Sequence, residues 1–211
     1  KFFVYSFMPT QEANIVTDIQ ALDLNKSYTY ADYLLWQFKE RVELIRGRIF
    51  KMSPAPNTEH QRVSGRLYAK TFNYLEERQC EVFAAPFDVR LLLPSDQVTD
   101  HKIDTVVQPD ICVVCDPQKL ESRGCIGAPD WIIEILSKST SHKDLNEKYD
   151  LYQSAGVMEY WIVHPAEGTI MTHTLQENGK YKRAENIYTH QDIISPVVFP
   201  DLQIELKWVF R

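Results

Sequence analysis

Apolar positions change period several times along the chain, and each change marks an element. Over residues 28–38, Tyr30, Tyr33, Leu34 and Gln37 recur at helical spacing, with Thr29 placed to cap and Asp32 in the first turn. Residues 42–52 alternate instead. Val42, Leu44, Ile45, Ile49 and Met52 are set against Glu43, Arg46, Arg48 and Lys51, and Gly47 at the centre marks a tight hairpin. After the break at Pro54-Ala55-Pro56, Asn57 or Thr58 can cap a helix over residues 60–78, with Val63, Leu67, Thr71, Tyr74 and Leu75 along its apolar side. Residues 81–93 read as a strand region with Pro86 at an edge or bulge, and residues 94–105 as a polar loop.

The stretch 108–165 is the centre of the chain. Two short apolar runs bounded by Pro, Gly and Asp, residues 111–115 and 131–136, read as buried strands. A polar break at 137–142 leads into a helix over 143–155 that Gly156 ends, and a strand follows at 159–163. Beyond it, Asn178-Gly179 signals a hairpin between strands at 169–176 and 181–185, and residues 202–209 read as a last strand. The order helix, three strands, helix, strand is αβββαβ, and pattern alone supports a mixed α and β fold with one layer of sheet.

Asp110 opens the first central run and Glu134 lies inside the second, between Ile133 and Ile135. A carboxylate inside an apolar strand is costly unless paired. Two on neighbouring strands repel unless a cation lies between them. Either an Arg, Lys or backbone N–H meets each acid, or both share a hard divalent ion such as Mg²⁺. Glu43, between Val42 and Leu44, is a further acid in apolar company. On the long helix, Arg62, Arg66 and Lys70 recur every four residues; they form either a solvated flank or a stripe that contacts phosphates. Asp88 reads as a structural hydrogen-bonding group, and Lys148 lies one turn from Asp144, where an exposed ion pair between them is one reading.

Composition changes this picture little. A chain of 211 residues, 44% apolar and 25% charged, suits one globular domain, expected over residues 21–211 behind an extension at 1–20. No run approaches the roughly 18 apolar residues of a membrane span. The opening KFFVYSFMPT lacks the length and small-residue cleavage site of a signal peptide, and Met8 is an alternative start. Cys112 and Cys115 have the spacing of a metal-binding pair, but no second such pair or His pair follows at zinc-site spacing, so Cys80, Cys112, Cys115 and Cys125 are expected as reduced, mostly buried thiols, which suits the cytoplasm. The net charge of −6 runs against a passive DNA binder, which is usually basic, but not against an enzyme whose acids hold a cation.

The chain resembles the PD-(D/E)XK nuclease superfamily, and within it the Uma-type branch of restriction-endonuclease-like proteins. The resemblance rests on Tyr28-Thr29-Tyr30-Ala31-Asp32-Tyr33, Glu43-Leu44-Ile45-Arg46-Gly47, Met52-Ser53-Pro54-Ala55-Pro56, His60, Ala85-Pro86-Phe87-Asp88-Val89-Arg90, Gln108-Pro109-Asp110 and Glu134-Ile135-Leu136-Ser137, in that order. It implies a restriction-endonuclease-like α+β fold: an αβββαβ core with a mixed central sheet, an added N-terminal helix and β-hairpin, and a C-terminal hairpin and strand. It also implies a metal-dependent endonuclease acting on DNA, with Mg²⁺ or Mn²⁺ held by Asp110, Glu134 and the Ile135 carbonyl. The superfamily's strand lysine falls here on Leu136, so Lys148 on the following helix takes its place, with Lys138 as the other candidate. Glu43 is implied as a supporting catalytic acid, and His60 as an auxiliary group beside the nucleic-acid stripe of Arg62, Arg66 and Lys70. A homodimer is expected, because many nucleases of this fold pair to cut two strands. The competing readings are the same fold as an inactive binding module for nucleic acid or a protein partner, and a structural protein whose acids are paired with Arg62 or Arg66.

Overall fold

A computed structural model describes residues 15–52, 57–93, 98–137 and 142–211. Met8, Pro54-Ala55-Pro56, Lys138 and the side chains of His142, Asp144 and Leu145 lie outside the described residues. The chain runs α1 (Tyr30–Tyr33), β1 (Val42–Ile45), β2 (Arg48–Lys51), α2 (Thr58–Leu75), β3 (Glu81–Ala84), β4 (Val89–Arg90), β5 (Val106–Val107), β6 (Ile111–Val114), β7 (Leu120–Glu121), β8 (Gly124–Ile126), β9 (Trp131–Ile135), α3 (His142–Ala155), β10 (Glu159–His164), β11 (Thr169–Leu175), β12 (Tyr181–Arg183), β13 (Tyr188–Thr189), β14 (Ile193–Ile194), β15 (Ile204–Glu205) and α4 (Leu206–Val209).

The central sheet has the order β12-β11-β10-β9-β6-β3, with β13 paired to β11. Strands β3, β6 and β9 are antiparallel neighbours, whereas β10 runs parallel to β9. A parallel pair needs a long crossover, and α3 supplies it. The expected αβββαβ core is therefore α2, β3, β6, β9, α3 and β10. A second sheet, β2-β1-β5-β4-β8-β7, and the short pair β14-β15 add to it.

Strand alternation sorts the core. Trp131, Ile133 and Ile135 of β9 pack with Val63, Leu67 and Leu75 of α2 and with Leu206 and Val209 of α4. Ile132 points the other way, toward Leu151 and Tyr152 of α3 and Val89, Val107 and Cys125 of the second sheet. Covered on both faces, β9 is apolar at every position but Glu134 rather than alternating. Removing Leu67, fully enclosed in this core, would cost on the order of 2–5 kcal/mol as alanine.

The structure corrects several expectations. The 28–38 helix is one turn long, because Val16 pairs its backbone with Leu35 and Gln37 and so draws those residues out of helix. The 81–93 strand divides at Pro86, with β3 in one sheet and β4 in the other, so the sheet is not a single layer. Two-residue strands such as β4 and β5 carry no periodicity to read. Residues 120–126 form a hairpin that the pattern did not announce, and the last strand turns into α4 after two residues.

The cysteines are also corrected. Cys80 and Cys115 form a disulfide, while Cys112 and Cys125 are free and buried. The reason is register. Glu81 faces Val114 across β3 and β6, so the next pair outward is Cys80 and Cys115. Below them, Asp130 clamps the ends of β6 and β9: its N–H donates to the Val113 carbonyl at 2.9 Å, and its Oδ2 accepts the Cys115 N–H at 2.7 Å.

Gly124 sits at φ +109, and a Cβ there would lie 2.1 Å from the Asp88 carbonyl oxygen. Because backbone, not a flexible side chain, fills that space, Gly124→Ala should lower unfolding free energy by at least about 2 kcal/mol, read as a lower urea midpoint at constant slope.

Candidate active site

Extending the β6–β9 register by one pair beyond Ile111 and Ile133 sets Asp110 opposite Glu134. Directly opposed residues have Cβ atoms about 4.5–5.5 Å apart, and like charges there destabilise the pair. Alternation turns Glu134 to the side of Ile132, toward α3 and the second sheet. Both elements bring a residue to it.

Helix α3 supplies a cation and a hydroxyl. Lys148 and Tyr152, four apart and so on one helix face, both donate to Glu134 Oε1, at 2.8 and 2.6 Å. The Lys148 ammonium also donates to Glu43 Oε1 at 2.9 Å, and the Gln108 N–H reaches the same oxygen at 2.9 Å. Glu43 arrives on β1 of the second sheet, so Lys148 ties the two sheets together. Among the described residues the partners of this amine are two buried glutamates; the surface pairing with Asp144 that the sequence left open falls on a side chain outside those residues.

Asp110 is held differently. Its Oδ2 accepts the Ile135 N–H at 2.7 Å, a backbone donor at the point where β6 ends its pairing with β9. The same oxygen lies 3.2 Å from Nε2 of His60. His60 is buried in the first turn of α2, where the Asn57 side chain caps its N–H at 2.9 Å.

The electrostatics follow from this crowding. Burial pushes the Glu134 carboxyl up to about 7; the Lys148 ammonium pulls it back, and the Asp110 and Glu43 charges push it further. Burial works against the Lys148 ammonium, yet the Glu134 and Glu43 carboxylates outweigh it and hold its pKa above the ordinary lysine range. For His60, burial again opposes the charged form, and the hydrogen bond and charge of Asp110 more than compensate, so the imidazole pKa rises.

Three carboxylates face one ammonium here, which leaves two negative charges when His60 is neutral. One divalent cation would balance them. The hydrogen bonds found among the described residues converge on Oδ2 of Asp110 and Oε1 of Glu134. Oδ1 and Oε2 could serve as ligand oxygens; the Asp110 side chain is 22% exposed, whereas Glu134 is buried. Among the described residues no group of three His, Cys, Asp or Glu side chains is arranged to hold a metal. A cation would thus rest on two carboxylates and complete its shell with backbone oxygen and water, a pattern that suits Mg²⁺ or Mn²⁺.

The expected basic stripe divides. Arg66 turns inward and donates to the carbonyls of Val209 and Arg211. The hydrogen bond and charge of Lys207 lower the Glu205 pKa, with Lys70 adding a smaller pull, and Arg62 is exposed. Arg66 thus holds down the C-terminal segment through one guanidinium nitrogen. Neither Arg62 nor Arg66 bridges Asp110, whose partners are His60 and the Ile135 N–H. Asp88 accepts from the Gln108 amide at 2.8 Å and the Tyr33 hydroxyl at 3.3 Å, a structural role as expected.

Sequence reasoning did not single out Tyr152 as a site residue, nor Gln108, whose backbone and side chain link Glu43 to Asp88. The four-residue spacing from Lys148 to Tyr152 was the available signal for the first. Gln108 offered none, since its contribution to Glu43 is a backbone N–H.

Known proteins agree with this architecture. Two proteins of Synechocystis sp. match the chain: the uncharacterized protein slr1290, 25% identical over 134 residues, and the uncharacterized protein sll1609, 26% identical over 142. These alignments cover 63% and 65% of this chain, and 65% and 75% of the two relatives. The chain therefore spans just under two thirds of slr1290. A solved structure of "a putative nuclease belonging to DUF820" from Anabaena variabilis superposes with a TM-score of 0.65, covering 87% of this chain and 97% of that one at 21% identity, a likeness of fold. Residues 30–207 match the model of the Uma2 family, described as "Putative restriction endonuclease", and the chain belongs to that family.

Proposed function

We propose that this chain is a metal-dependent endonuclease that hydrolyses phosphodiester bonds of DNA. The observation that carries the reading is the opposition of Asp110 and Glu134 across β6 and β9, with Lys148 held between Glu134 and Glu43. Asp110 and Glu134 would hold Mg²⁺ or Mn²⁺, with the Ile135 carbonyl as a third oxygen. Bound there, the ion supplies Lewis-acid chemistry: it makes a water nucleophilic near neutral pH and offsets charge on the phosphate.

This chain's own residues do the rest. Glu43 and Glu134 keep the Lys148 ammonium charged and fixed, which suits it to orient the attacking water and to offset phosphate charge rather than to remove a proton. Tyr152 holds one oxygen of Glu134, which would leave the second oxygen to a cation. His60 and the Ile135 N–H orient Asp110 in the same way. A single centre of this kind cuts one strand, so cleavage of both strands calls for a second copy of the chain.

Titration calorimetry with Mn²⁺ should show binding that Asp110→Ala and Glu134→Ala each abolish, together with nicking of supercoiled plasmid. Plasmid that is bound but uncut in Mn²⁺ would favour the binding-module reading instead.

Lys148→Gln should keep or tighten Mn²⁺ binding, since a positive charge leaves the site, while cleavage falls on the order of 10²-fold or more. Equal loss of both would assign Lys148 to folding of the site.

The raised Glu134 pKa sets a pH window. Below about 7 the carboxyl holds a proton that a cation must displace, so Mn²⁺ affinity should fall about tenfold per pH unit there. Without cation the sign for stability is the reverse of an ordinary salt-bridged acid. The folded state binds the extra proton between the unfolded pKa and about 7, so this contribution is present at low pH and lost as pH rises through 7. The melting temperature of the cation-free protein should therefore drop over that range relative to Glu134→Gln, and Mn²⁺ should restore it.

A further inference from the structure

The β1–β2 hairpin carries a feature that neither the metal site nor the fold explains. Residues 39–52 hold Lys39, Arg41, Arg46, Arg48 and Lys51 against Glu40 and Glu43, a local charge of +3 in a chain of net charge −6. All five basic side chains are exposed, whereas Glu43 is buried in the site. Strand β2 is an edge strand, and its outer side has no neighbour in the sheet.

Several other cations of the described chain are occupied. Arg90 pairs with Glu121, Arg123 with Asp100 and Lys207 with Glu205; Lys119 donates to the Ala128 carbonyl and Arg66 to the C-terminal carbonyls. Arg78 lies over Tyr74. Among the described residues no carboxylate pairs with Lys39, Arg46, Arg48 or Lys51. Arg41 donates only to the Gln108 side chain, at 2.8 Å, and that contact is itself exposed.

Register places two of these cations beside the site. Glu43 pairs with Phe50 and Ile45 with Arg48, so these four share one face of the hairpin. Arg41, two residues before Glu43 and opposite Met52, shares that face. Arg41 and Arg48 thus flank Glu43 on the face from which it reaches Lys148, and Gln108 joins Arg41 to Glu43 directly. The hairpin offers no exposed aromatic ring; its Phe50 is half-buried. Single-strand binders rely on such rings to stack bases. A row of unpaired cations without them suits the phosphates of a duplex, read by charge and not by sequence.

We infer that the β1–β2 hairpin is a docking surface for the sugar–phosphate backbone of duplex DNA, with Arg41 and Arg48 contacting phosphates beside the candidate centre. This rests on the nuclease reading for its biological sense, but its test does not use cleavage. The probe is a fluorescent DNA duplex of random sequence, its binding followed by anisotropy in EDTA across a series of salt concentrations. Arg41→Gln/Arg48→Gln should weaken binding at low salt by tenfold or more and reduce the slope of log K against log salt by about 1.8, two contacts at about 0.9 each. Lys182→Gln/Arg183→Gln serves as control, since those exposed cations lie on β12, an edge strand of the central sheet and not of the sheet that holds the hairpin; it should bind as wild type does. Mn²⁺ calorimetry and the melting temperature of the hairpin variant should match wild type, which separates lost contacts from lost fold.

A wild-type protein that takes up Mn²⁺ and nicks plasmid, beside a hairpin variant whose salt slope is unchanged, would overturn the surface and leave the nuclease standing. Mn²⁺ binding and cleavage both absent, with the slope still reduced, would support the surface and remove the enzyme. No binding of duplex by wild type, or tighter binding of a single strand of equal length, would overturn the assignment.

Discussion

Two acids forced face to face organise this molecule. The pairing of β6 with β9 leaves Asp110 and Glu134 no choice of neighbour. Everything that converges on them supplies positive charge or a donated proton: the Lys148 ammonium, the Tyr152 hydroxyl, the Ile135 N–H and the His60 ring. Those donors come from both helices that flank the core and from the strand itself. The second sheet enters through Glu43, a third acid, which adds negative charge where it is already in excess. An arrangement selected for stability alone would not do this, because burying unneutralised charge is costly.

The connection that delivers Lys148 is the parallel crossover. Strand β9 must be followed by a helix if β10 is to run beside it, and that helix packs on the face to which Glu134 points. An amine placed on α3 therefore reaches the acid as directly as one placed two residues along the strand, where Leu136 stands. On the proposed reading of Lys148, the departure from the superfamily's spacing is a change of route to the same place. Held by two glutamates, this lysine is also less free to give up its proton than a solvated one.

Much of this was legible in the chain because the central strands are long and apolar. Asp110 and Glu134 stand out against Ile, Val and Trp, and Lys148 follows at helical spacing from a glycine-terminated end. What could not be read was pairing. The two-residue strands β4, β5 and β7 are too short to show a period, so the second sheet was invisible and with it the reason Glu43 is buried. Cys80 and Cys115 are 35 residues apart, and only the β3–β6 register makes them partners. The stripe of Arg62, Arg66 and Lys70 was correctly periodic, but periodicity cannot say that the C-terminal carbonyls lie against it.

Side chains in a strand alternate, so sliding β6 past β9 by one residue would turn Asp110 and Glu134 to opposite sides of the sheet. Asp130 makes such a misalignment expensive. Its backbone bonds Val113 and its carboxylate bonds Cys115, so both would be broken by a single step. A residue at the far end of the strand, with no contact to the acids, thereby acts as the gauge that keeps them facing each other.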